Sequence, residues 1–215
     1  MKDTYRHKGL RKKLIETLRI KGIRDEKILA AFEAVPRHFF LDKAFEEWAY
    51  VDKAFPIGND QTISQPYTVA YQTSLLELKP REKVLEIGTG SGFQAAILSA
   101  LGARVFTLER QEALYSKTKI LLKEMGFKGI RMFLKDGMEG LPEFAPFDKI
   151  LVTAAAEKVP KPLLDQLKIG GILVVPVGDK RQQMYKIIKL SDNQFERLKL
   201  DYFKFVPLLK GLNKE

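Results

Sequence analysis

Cysteine is absent from all 215 residues. Its absence excludes disulfides, thiolate nucleophiles and cysteine-ligated metals together, and makes the cytoplasm the simplest expected compartment. Histidine is nearly as scarce. His7 and His38 stand alone in no metal-like spacing, so no metal site is expected, and His38 reads as structural. Long apolar runs are missing too: nothing is suited to span a bilayer, and the basic start of the chain lacks the apolar stretch of a secretory signal. Neither membrane partners nor export is expected. There is no internal repeat and no low-complexity segment. Apolar residues at 45% and charged residues at 30% exclude a disordered chain and suit one compact unit with a sizeable core.

Negative charge is in short supply, with 27 acidic against 37 basic residues and a net charge of +10. Such an excess speeds encounters with polyanions. The lysines are nevertheless scattered among acidic residues, and only residues 6–13 form a basic cluster. A solvated surface with no nucleic-acid partner is the expected reading; guidance of an anionic substrate is the alternative.

The hydrophobic pattern divides the chain near residue 78. Leu10, Leu14, Ile15 and Leu18 make one helical stripe over 10–20, and Asp25 is a candidate N-cap for a second helix ended by Pro36. A short helix is expected after Asp42 and a loop over 56–65, with Pro66 opening a helix that Pro80 closes off. From residue 81 strands and helices alternate. Strands are expected at 83–87, 104–108, 131–135, 150–152 and 172–177, and helices at 93–101, 112–125 and 162–168, the last stopped by Gly170-Gly171. Residues 184–190 and 195–205 read as an antiparallel hairpin around Asp192-Asn193. The predicted fold is a Rossmann-like, doubly wound α/β sheet over 79–215 with a C-terminal antiparallel hairpin, and residues 1–78 as an N-terminal helical cap carrying an active-site loop.

The first strand runs into Val-Leu-Glu-Ile-Gly-Thr-Gly-Ser-Gly at 84–92. Open α/β sheets bind ligands at such turns. A dinucleotide site needs a further glycine where this chain has Phe93, so Gly88, Gly90 and Gly92 are spaced G-x-G-x-G. An acidic Glu86 beside the turn opposes a pyrophosphate and favours a cationic sulfonium. The expected ligand is therefore S-adenosyl-L-methionine, leaving as S-adenosyl-L-homocysteine. Glu109 ends the second strand, where a carboxylate can hold a ribose diol, and Asp136-Gly137 follows the third, within reach of an adenine. Singly, Glu109 can also cap a sheet edge and Asp-Gly can be a plain turn; three such features at successive strand ends favour a ligand site.

A catalytic base is missing as well. There is no Asn/Asp-Pro-Pro-aromatic motif for amino methylation and no cysteine for attack on a pyrimidine. An ionised carboxylate as acceptor needs neither.

The chain resembles the bacterial type of the protein-L-isoaspartate O-methyltransferase family from about residue 9 to 212. The matching stretches are Ala34-Val35-Pro36-Arg37, Gln61-Thr62-Ile63-Ser64-Gln65-Pro66, the segment 84–92, Pro146-Phe147-Asp148 through Thr153-Ala154-Ala155, Gly170-Gly171 through Pro176-Val177-Gly178, and Phe205-Val206-Pro207-Leu208. The resemblance implies methyl esterification of the α-carboxylate of L-isoaspartyl residues in damaged proteins and peptides, with repair through a succinimide. By position it implies Ser64 as the active-site serine, Glu86, Ile87, Gly88, Thr89, Gly90 and Gly92 at the donor site, Glu109 at the ribose and Asp136 with Gly137 at the adenine. Thr153, Ala154, Ala155 and Val206 would shape the substrate cleft. Phe93 departs from a tyrosine common in relatives. Ser64 also has a plain structural reading as an N-cap before Pro66. A monomer is expected. The competing functions are an RNA or small-molecule methyltransferase of this fold, and a silent donor-binding module.

Overall fold

A computed structural model describes residues 2–214; Met1 and Glu215, at the outer bounds of the two expected regions, lie outside the described residues. The chain opens with helix α1 (Tyr5–Ile20), five residues ahead of its apolar stripe. A capping box explains the early start: Thr4 Oγ1 accepts from His7 N while His7 Nδ1 accepts from Thr4 N. Helix α2 (Glu26–Ala34) is capped by Asp25, which accepts from Lys27 N at 2.8 Å. Short 3-10 turns over Arg37–Phe40 and Lys43–Trp48 follow, so the segment after Asp42 is helical but tighter than α.

Residues 56–65 are not simply a loop. Strands β1 (Phe55–Gly58) and β2 (Gln61–Ile63) pair antiparallel across Asn59 and Asp60, both at positive φ (52° and 54°). Two consecutive left-handed residues make the kind of turn that asparagine and aspartate tolerate best. Helix α3 (Pro66–Leu75) starts at its proline.

The core is a seven-stranded sheet in the order β5-β4-β3-β6-β7-β8-β9, built from β3 (Lys83–Ile87), β4 (Arg104–Glu109), β5 (Arg131–Leu134), β6 (Phe147–Val152), β7 (Leu167–Val177), β8 (Gln182–Ser191) and β9 (Gln194–Phe203). Strands β3 to β7 run parallel, and β8 and β9 add the antiparallel edge. Helices α4 (Phe93–Ala100) and α5 (Glu112–Glu124) make the crossovers. Helix α6 (Lys161–Asp165) is shorter than expected, and β7 starts at Leu167, so Gly170-Gly171 lies inside the strand. There the pairing with β6 slips from Phe147↔Leu167 to Lys149↔Ile172, and Gly171 passes so close to Asp148 O that a Cβ would stand 2.9 Å from it. The glycines serve an irregular strand and stop no helix.

Side chains alternate along each strand. Leu85, Ile87, Leu108 and Val152 bury one face under α6, while Val84, Val105, Leu151 and Val174 bury the other under α4. The N-terminal helices share a core with α4 through Phe93, Ala96 and Ile97. Strand β3 has β4 on one side and β6 on the other, and the chain reverses direction between them. The carboxyl ends of β3 and β6 thus open a crevice at the switch point, where such sheets hold ligands.

Candidate active site

At that crevice Ile87 and Val152 are paired neighbours, and the next residues are Gly88 and Thr153. Thr153 N donates to Ile87 O at 3.0 Å, and its hydroxyl lies 2.9 Å from Ile87 O and 2.7 Å from Gly88 O. Gly88 has φ 96°, and a Cβ there would stand 2.6 Å from Thr153 Oγ1; only glycine fits. Gly90 N donates to Glu109 Oε2 at 2.8 Å, and Gln111 N to Glu109 Oε1 at 2.9 Å. The carboxylate ending β4 is thereby fixed across the mouth of the turn. Gly92 leads into α4.

A crevice of about 60 Å³ is lined by Ile87, Gly88, Gly90, Glu109, Gly137 and Ala154, among others, and roofed by Gln61, Thr62 and Val206. The β1–β2 hairpin is pinned over it, since Gln111 Nε2 donates to Asn59 O at 3.1 Å. Gly137 is needed for close approach: a Cβ would meet Ile87 Cγ2 at 2.3 Å. Next to the crevice opens a larger cavity of about 540 Å³, whose walls include Ser64, Tyr67, Asp201, Phe203 and Lys204. Thr62, Thr153 and Val206 border both spaces. Ser64 lines the large cavity and also a second crevice, of about 40 Å³, with Gly88 to Ser91.

The C-terminal segment completes the walls. Ala155 N donates to Val206 O at 2.8 Å, Leu208 N to Ala155 O at 2.7 Å, and Asn213 N to Arg110 O at 2.9 Å. Residues 206–213 therefore strap across the carboxyl ends of β6 and β4. Ala155 contributes through this backbone pairing and lines a separate surface cavity, not the cleft expected for it.

Three expected roles change. Glu86 is fully buried, paired across the sheet with Thr107, whose hydroxyl donates to its Oε2 at 2.5 Å. Thr89 Oγ1 continues this chain at 2.7 Å from Thr107 Oγ1. Glu86 lines none of the three spaces, and burial, reduced by the Thr107 hydrogen bond, pushes its carboxyl up to about 8. At neutral pH it is largely protonated, so it neither repels a pyrophosphate nor attracts a sulfonium; the glycine spacing is what distinguishes the turn. Asp136 spends its carboxylate on Met138 N (2.8 Å) and Gly211 N (2.7 Å), tying the strap to the end of β5. Ser64 caps nothing: α3 has Gln65 at its N-cap without a side-chain bond, and Asp52 Oδ1 accepts from Tyr67 N at 2.7 Å.

Sequence reasoning passed over Arg37 and Thr62. Arg37 is buried, donates through Nη2 to Ser64 O at 2.9 Å, and stacks its guanidinium 4.9 Å from the Phe93 ring centroid. Phe93 itself is buried edge-on against Phe32 and Phe40, which suits an aromatic without a hydroxyl. Asp3, His7 and His38 do bring potential metal ligands within 4.8 Å of one another. However, these groups are already engaged: Arg11 clamps Asp3 with Nη1 and Nη2 (3.3 and 2.9 Å), His7 Nδ1 accepts from Thr4 N, and His38 Nδ1 lies 2.7 Å from Tyr50 Oη.

A glycine turn with no room for a Cβ, a fixed carboxylate at the second strand end and a small residue at the third suit a nucleoside carrying a ribose diol and no phosphate. Fold and site together define the class of α/β methyltransferases using S-adenosylmethionine. Residues 9–213 match the family description Protein-L-isoaspartate(D-aspartate) O-methyltransferase (PCMT). The chain is 55% identical to the protein-L-isoaspartate O-methyltransferase of Christiangramia forsetii over 99% of its length and 100% of the relative's. It is 56% identical to that of Cytophaga hutchinsonii, over 97% and 95%. A solved protein-L-isoaspartate O-methyltransferase superposes with a TM-score of 0.86 at 30% identity, covering 94% of this chain and 67% of that one. A second, from Plasmodium falciparum in complex with S-adenosyl-L-homocysteine, gives 0.81 at 25% identity, covering 93% and 98%. The chain belongs to the protein-L-isoaspartate(D-aspartate) O-methyltransferase family.

Proposed function

We propose that this chain methylates the α-carboxylate of L-isoaspartyl residues in damaged proteins and peptides, with S-adenosyl-L-methionine as donor, and so starts their return to aspartate through a succinimide. The observation that carries the reading is that Thr62, Thr153 and Val206 form the common wall between the Gly88–Glu109 crevice and the 540 Å³ cavity, with Ser64 lining that cavity beside them and the small crevice along Gly88 to Ser91. A donor in the first and a polypeptide in the second would meet there.

Bound in the crevice, the donor supplies an electrophilic methyl group on a sulfonium. The chain's residues hold and align. Glu109 receives the ribose hydroxyls, and Gly137, kept in place by the Asp136 turn, leaves room for the adenine. The acceptor carboxylate is already anionic at neutral pH, so no base is required. The Ser64 hydroxyl, which has no hydrogen-bond partner among the described residues, points the acceptor oxygen along the line of transfer, and Arg37 fixes Ser64 by donating to its carbonyl. Holding two reactants in line contributes about 7–11 kcal/mol. No neighbour activates Ser64 as a nucleophile. In this proposal residues 1–78 supply the acceptor side and 79–215 the donor side of one compact, monomeric unit. Among the described residues no helix is long and apolar enough to cross a membrane; with no cysteine present, we place the activity in the cytoplasm.

The test is whether formation of S-adenosyl-L-homocysteine depends on an added isoaspartyl peptide. Turnover with that peptide and none with its aspartyl twin supports the reading. Turnover with RNA alone would assign the chain to the other methyltransferase class.

A further inference from the structure

A surface cavity of about 700 Å³ lies along the strap, sharing Pro207, Leu208 and Leu209 with the donor crevice. Lys158, Lys180, Lys204 and Lys210 stand around it, against Glu157 and Asp179, above an apolar floor that includes Pro207 and Leu208. All four lysines are exposed, and none makes an ion pair or side-chain hydrogen bond among the described residues. Some core lysines are paired, Lys149 with Glu82, Lys168 with Asp148 and Lys186 with Glu77; what sets these four apart is that they stand around one cavity. This cavity also adjoins the proposed acceptor site. Lys204 and Phe205 line both, and only the strip through Val206 separates them.

Resting on the proposed acceptor reading, we infer that the lysine cavity is an extended subsite for the acidic flank of the acceptor polypeptide, binding aspartate or glutamate side chains near the isoaspartate. A polypeptide with its damaged residue at the Ser64–Val206 wall has to leave the cleft across its rim, and crossing the Phe205–Pro207 strip carries it over the lysines. Unpaired lysines around an apolar floor suit carboxylates on short stems. Exposed charges attract weakly and are screened by salt, so they select among substrates without holding any tightly.

Three isoaspartyl peptides of equal length test this: one neutral, one with acidic residues before the isoaspartate and one with them after it. Wild-type protein is expected to show a KM about fivefold lower for one acidic peptide than for the neutral one, with kcat equal, and to lose that preference at high salt. The triple variant Lys158→Ala/Lys180→Ala/Lys210→Ala, which leaves Lys204 at the cleft, is expected to treat all three alike and to keep wild-type turnover on the neutral peptide. Equal KM values in wild type, or an acidic preference that survives in the triple variant, would overturn the inference. So would salt-sensitive RNA binding lost in the variant with no difference between peptides, which assigns the lysines to nucleic acid. Failure on all three peptides would instead refute the acceptor reading beneath it.

Discussion

Ser64 and Glu86 show how a residue's chemistry depends on which way its strand or loop points it. Ser64 follows β2, its carbonyl taken by Arg37 and its hydroxyl left to the cleft, while Asp52 caps α3 in its place. Ser64→Ala is therefore expected to lower kcat about 10- to 100-fold, as for one lost orienting hydrogen bond. Calorimetry should find donor affinity and Tm nearly unchanged; a large fall in Tm would restore the capping role. Glu86 points under α4 because residues 84 and 86 share a face of β3. Its carboxyl holds a proton to about pH 8 in the folded chain, against 4.5 unfolded. The unfolded chain therefore releases a proton first, and the folded state loses ground as pH rises from 4.5 through about 8. Glu86→Gln cannot ionise. Its stability advantage should be smallest near pH 5 and grow to the order of a few kcal/mol near pH 8, read by urea unfolding. A pH-independent difference would contradict the burial account.

Among the elements, the strap and the hairpin close the donor crevice from two sides. Asp136 holds the strap by Gly211 N and its own turn by Met138 N. Asp136→Ala should weaken donor binding about tenfold, measured by titration calorimetry; unchanged affinity would show that the strap needs no such anchor. The strap's role was invisible in the sequence, because it depends on backbone bonds between residues about 50 to 100 positions apart. The regular core was legible, because continuous apolar strands and glycine-stopped helices announce a parallel sheet locally. The β1–β2 hairpin fell between: its Asn59-Asp60 turn is a recognisable signal, but strands of four and three residues carry too little alternation to be read. Gly170-Gly171 misled for a physical reason, since close backbone packing in a strand demands glycine as much as a helix stop does.

On the scale of the whole molecule, the N-terminal region shares an apolar core with α4 and is itself held together by a buried polar cluster. His38 Nδ1 meets Tyr50 Oη at 2.7 Å, Arg11 Nη1 donates to the same oxygen at 3.0 Å, and His7 stacks on His38 beside Asp3 and Glu46. Burial first, and His7 second, lower the His38 pKa below 6.5. The folded state therefore resists the proton that the unfolded chain accepts, and the contribution present above 6.5 is lost as pH falls through the folded value. The Tm should fall between about pH 7 and about pH 5 and fall less in His38→Gln; parallel curves would remove His38 from the account. The glycine turn defined the donor, but the acceptor depends on how the whole cleft is assembled. The most direct measurement therefore uses labelled donor with two peptides differing only in isoaspartate against aspartate, followed by mass-spectrometric location of the methyl group. The expected result is a base-labile ester on the α-carboxylate of the isoaspartyl peptide alone. Label on both peptides, on neither, or on any other atom would contradict it.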